Sequence, residues 1–144
     1  MILRCQVRTH GGAYSPRMRT LHYPILTATL FLVAGQAHAT DLVSIDWSPT
    51  GAFERELPVP AGKFAEACGK LAAQSAVAWH FEADAALDFN IHYHEGKKVV
   101  YPARLAGASE GKDTLKAEAP QDYCWMWSNK TGKDVRLKLS LQKR

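Results

Sequence analysis

The 144-residue sequence has no acidic residue before Asp41, only three cysteines, and no apolar run long enough to cross a bilayer as a helix. Spanning takes about 20 apolar residues, whereas the stretch Ile25 to Ala34 is about half that length. Also absent are G-x-S-x-G, HExxH and a glycine-rich phosphate loop, the patterns that place a nucleophile, a zinc pair or a phosphate cradle. Nothing in the spacing of the carboxylates marks an acid–base pair, so the sequence does not point to an enzyme. No internal repeat or low-complexity tract divides it.

The acid-free stretch has the form of an export leader. Arg4, Arg8, Arg17 and Arg19 precede the apolar run, and Ala37-His38-Ala39 gives the small-x-small pattern that a signal peptidase admits. Residues 1–39 are therefore expected to be removed, with Met18 as an alternative start, leaving 40–144 as one periplasmic or secreted domain. Those four arginines are the whole excess of 18 Lys+Arg over 14 Asp+Glu. The remainder is charge-balanced, which removes the case for nucleic-acid binding, and it offers no membrane-span candidate. Loss of Cys5 leaves Cys68 and Cys124, an even pair in an oxidising compartment and a candidate disulfide.

What the remainder does have is alternation. Leu87, Phe89, Ile91 and Tyr93 alternate with Asp88, Asn90, His92 and His94, and Val77, Trp79 and Phe81 with Ala78, His80 and Glu82. Tyr123, Trp125 and Trp127 alternate with Cys124, Met126 and Ser128, and Val135, Leu137, Leu139 and Leu141 with polar residues. A period of two is the mark of a half-buried strand. Weaker strands are expected at Leu42–Trp47, Phe53–Val59, Lys98–Tyr101 and Thr114–Ala117, with turns at 48–51, 60–62, 95–96, 107–111 and 129–132. Lys63 to Ala76 fits either a helix or a strand. Gly69 in its middle costs a helix about 1 kcal/mol, which favours an extended segment around Phe64–Cys68. About eight short strands without long helices imply an all-β fold, an antiparallel β-sandwich with Greek-key or jelly-roll-like connections.

Two motifs resemble a known family. Trp79-x-Phe81 followed by Leu87-Asp88-Phe89-x-Ile91, and Tyr123-x-Trp125-x-Trp127-Ser128-Asn129 ahead of a Leu-rich last strand, are similar to the GOLD-type (Golgi-dynamics) β-sandwich. The resemblance covers roughly Leu57 to Leu141. It implies a compact sandwich for protein or lipid contacts, with Trp79, Phe81, Phe89, Tyr123, Trp125 and Trp127 as core aromatics. The family's membrane anchor and coiled coil are missing, so no trafficking role comes with it.

The chemistry-bearing feature is His92-Tyr93-His94. On a strand, residues two apart share a face, with Cα atoms about 6.5–7 Å apart. If Val77–Glu82 and Leu87–His94 form a hairpin, pairing Glu82 with Asp88 sets His80 opposite Asn90. His80, His92 and His94 then share one face with Asp88, Glu82 and Glu95, a donor set suited to zinc or copper. The competing reading is a solvated polar face. Copper electron transfer is disfavoured, because Cys124 and Met126 lack the Cys-x4-His-x4-Met spacing. The expected function is binding: a small exported module for an unknown protein or small ligand, with a histidine-based zinc or copper protein as the alternative.

Overall fold

A computed structural model describes residues 41–144; the expected leader, its cleavage after Ala39 and the alternative start at Met18 lie outside the described residues. Seven strands follow one another: β1 (Asp41–Ser44), β2 (Ala52–Val59), β3 (Phe64–Leu71), β4 (Ala76–Glu95), β5 (Lys98–Lys116), β6 (Gln121–Ser128) and β7 (Val135–Lys143). No helix lies among the described residues, and hence none that could cross a membrane. The ambiguous segment at 63–76 is the extended strand β3. A side chain at Gly69 would meet the Cβ of Ile45 at 2.9 Å, so glycine there lets the chain beside β1 close over β3.

The strands form one mixed sheet in the order β1-β3-β6-β4-β7-β2, with β5 along the other edge of β4. Only β1 and β3 run parallel. β7 pairs with Val77–Ala83 of β4 and β6 with Asp88–His92, while β5 pairs with both halves. One edge of β4 therefore serves two partners in succession. Register shifts between Glu82 and Leu87 let the strand bend there, as bulges do where a strand passes between packed sheets. The sheet curls into two facing layers, a β-sandwich-like fold.

Two local expectations are corrected. Val77–Glu82 and Leu87–His94 are not a hairpin but one strand, and the small residues between them, Ala83 and Ala85, pack against the core. Likewise 107–111 is not a turn. It lies inside β5, which joins the two segments expected at 98–101 and 114–117. Gly111 answers a different need: a Cβ there would sit 2.6 Å from Phe81 Cε1 and 2.9 Å from Leu105 Cδ1.

Alternate residues of both layers meet in the core. Leu57, Val59, Val77, Trp79, Phe81, Leu137, Leu139 and Leu141 face Ala65, Ala67, Phe89, Ile91, Tyr93, Tyr123, Trp125 and Trp127, and all are buried. Asn129, just beyond β6, is 2% exposed and fully bonded. Its Nδ2 donates to the carbonyls of Val59 and Lys133 at 2.8 Å each, and its Oδ1 accepts from the Thr131 N–H at 2.8 Å and hydroxyl at 2.7 Å. This amide ties the end of β2 to the β6–β7 turn. Asn129→Ala is expected to lower the unfolding free energy by about 2–3 kcal/mol, because buried carbonyls lose their donor. Urea unfolding of the two proteins side by side measures it, and a loss below about 0.5 kcal/mol would mean that water replaces the amide.

Candidate functional site

The outer face of one layer carries His92 together with Glu66, Asn90 and two cysteines. Register aligns Cys68 of β3, Cys124 of β6 and His92 of β4 in one row, and Glu66, Met126 and Asn90 in the next. Because side chains alternate, Ile91, Tyr93, Tyr123 and Trp125 point into the core from the same strands while this set points away from it. The face is nonetheless not open. His92 is 7% exposed, being covered by its neighbours.

His92 is held at both ring nitrogens. Nδ1 donates to Asn90 Oδ1 at 2.9 Å, since an amide oxygen only accepts. Nε2 lies 3.1 Å from Glu66 Oε1, a contact that becomes an ion pair when the imidazole is charged. The His94 ring stands edge-on at 5.4 Å between centroids, and Tyr101 of β5 lies at 5.9 Å. Arg104 stacks its guanidinium 3.6 Å over the Tyr101 ring. Cys68 and Cys124 are joined as a disulfide directly across β3 and β6.

The histidine set of the sequence is divided by the fold. His92 and His94 are neighbours, but His80 lies on the other half of β4, between Ser140 of β7 and Lys112 of β5. There it is exposed and 3.6 Å from Glu82 in a shallow groove with Glu54, Glu56 and Lys138. Asp88 belongs to neither group: it accepts from the Gly107 N–H at 2.9 Å and pairs with Lys130. The hydrogen bonds from Lys130 and Gly107 hold its carboxyl below the usual carboxylate range. Glu95 is drawn to Lys98 across the β4–β5 turn. One strand cannot bring these candidates together, because His80 and His92 fall on different layers.

A different group converges. Donor atoms of Glu66, His92 and Cys124 all lie within 4.8 Å of one another. Glu66 carries no mark of its own in the sequence, although the disulfide gives the clue: with Cys68 opposite Cys124, the residue two before Cys68 falls on the same face. While the sulfur–sulfur bond is closed, Cys124 is a poor donor, and only a carboxylate and an imidazole of this trio are ordinary ligands.

No protein-family model matches the chain, and no curated protein does. Solved structures do match. Aeromonas hydrophila PliG, a periplasmic lysozyme inhibitor of g-type lysozyme, is similar at a TM-score of 0.51 and 11% identity, over 72% of this chain and 96% of that one. Salmonella Typhimurium PliG, another periplasmic inhibitor of g-type lysozyme, gives 0.52 and 8% over 74% and 100%. The pre-peptidase C-terminal domain of a Bacillus anthracis collagenase gives 0.52 and 10% over 71% and 93%. At such identities the likeness is one of fold, a small β-sandwich-like domain.

Proposed function

We propose that this protein is an exported protein-binding module, and that a cell-wall lytic enzyme of the g-type lysozyme class is the first partner to test. The observation that carries this reading is the extent of the fold match: the chain spans 96% and 100% of two periplasmic lysozyme inhibitors, so their whole fold has a counterpart here. The leader-like segment and the disulfide support export. The likeness to the Golgi-dynamics sandwich is read in the same way, as an interaction fold without a trafficking role.

The contact surface is assigned to β5. Among the described residues this strand pairs only with β4, leaving its other edge open. Tyr101 and Leu105 are 42% and 38% exposed on it, with Arg104 stacked on the Tyr101 ring. Aromatic and arginine side chains are the residues that dominate interface energetics. Adding the purified protein to g-type lysozyme is expected to suppress clearing of a peptidoglycan suspension at 1:1 stoichiometry. Tyr101→Ala/Arg104→Ala should weaken that inhibition at least about tenfold. Undiminished clearing at about 10 μM protein, a level that saturates any complex of micromolar affinity, would exclude lysozyme as the partner.

A further inference from the structure

We infer that the Cys68–Cys124 bond is the gate of a zinc-class metal site, closed when oxidised and formed on reduction by Cys68, Cys124, His92 and Glu66. Four features point there together. The donors come from three adjacent strands, β3, β6 and β4. Glu66, His92 and Cys124 already present their ligand atoms within 4.8 Å of one another, and Glu66 Oε1 and His92 Nε2 are 3.1 Å apart. Donors on one tetrahedral zinc, with bonds of about 2.0–2.3 Å, stand about 3.3–3.8 Å apart. Cys68 supplies the fourth position, since its Cα lies 4.1 Å from that of Cys124.

The third feature is orientation. Asn90 Oδ1 takes the Nδ1 proton of His92 at 2.9 Å, which leaves Nε2 as the nitrogen that faces Glu66. A carboxamide or carboxylate on the far nitrogen is how metal-binding imidazoles are commonly fixed in one tautomer. The fourth is enclosure. His92 and Cys124 are 7% and 8% exposed, so a bound ion would be shielded from water and from competing ligands.

A dithiol reductant can open the gate. Its thiolate attacks Cys68 Sγ, on the more accessible of the two cysteines, and the Cys68–Cys124 bond breaks with Cys124 leaving as thiolate. The second thiol of the reductant then resolves the mixed disulfide, so two electrons pass to the protein and the reductant leaves as a disulfide. Binding of a divalent ion displaces one proton from each cysteine, and two protons go to solvent. Two sulfurs, one nitrogen and one oxygen form a donor set that suits zinc and excludes calcium or magnesium. Neither His80 nor Asp88 takes part.

Cobalt(II) serves as the probe, because a tetrahedral thiolate complex absorbs visible light. The purified protein should bind one equivalent after treatment with a phosphine reductant, and at least about 100-fold more weakly with the disulfide intact. In the reduced protein, Glu66→Gln and His92→Gln should each weaken binding about 10- to 100-fold, while His80→Ala leaves it unchanged. Zinc added afterwards should bleach the cobalt spectrum. Equal binding by the oxidised and reduced forms, or no cobalt band on reduction, would overturn the inference. So would reduced protein whose affinity ignores both Glu66→Gln and His92→Gln, because thiols of an unfolded chain bind metal without those side chains.

Discussion

Cys68→Ser/Cys124→Ser is expected to lower the unfolding free energy by about 4 kcal/mol, the entropy gained by an unfolded chain freed of a loop of this size. The cysteines are 56 residues apart, and the loop they close contains all of β4 and β5. A domain of about 100 residues has some 5–15 kcal/mol in total, so the loss would be a large share of the whole. Urea unfolding monitored by tryptophan fluorescence measures the loss, and reduction of the unmodified protein should reproduce it. A loss below about 1 kcal/mol would show that the open chain keeps the β3–β6 pairing when unfolded. The same experiment bears on the metal site. Zinc should raise the unfolding midpoint of the reduced protein and leave that of the double variant where it was, since only a ligand that binds the native state stabilises it.

How much of this was legible in the sequence depends on which contacts decide each feature. Strands β6 and β7 could be read from their own residues, because Tyr123, Trp125 and Trp127, and Val135 to Leu141, alternate without interruption. β4 could not be read as one strand. Its middle, Glu82 to Ala86, is acidic and small and has the look of a loop. It stays extended because β5 runs along both halves and two further strands pair in turn with the other edge. The glycines at 107 and 111 misled for a related reason. Gly111 is set by the approach of the Phe81 ring from another strand, which the local sequence does not encode.

The candidate site divides along the same line. That His92 and His94 share a face follows from a period of two and needs no partner strand. That His80 does not join them depends on the bend in β4, and that Glu66 does join depends on the register of β3 against β6. Register is a property of pairs of strands, fixed by burial and turn geometry together. Cys68 and Cys124 offered the one register mark written in the sequence, and it was legible only to a reader who took them as directly cross-strand partners.

Trp127→Ala should be the most damaging single substitution of the core, at about 3–5 kcal/mol. The indole is fully buried and touches both halves of the bent strand: Phe81 stands edge-on at 5.7 Å, and Phe89 is tilted at 5.3 Å. Phe81 and Phe89 are themselves 4.9 Å apart, with Trp79 4.9 Å from Phe89. These four rings join the β7 side of the sandwich to the β6 side, so emptying one position loosens the contact between the layers rather than one layer alone. Trp127→Phe separates the two parts of the effect. It keeps a ring at the centre and removes Nε1–H, a buried donor without an acceptor among the described residues. Deleting an unsatisfied donor returns part of what the smaller ring loses, and the expected cost is no more than about 1–2 kcal/mol. Denaturant unfolding of both variants decides the matter. If Trp127→Phe costs as much as Trp127→Ala, the indole N–H is bonded in solution, and the contribution of Trp127 lies in that bond rather than in packing between the layers.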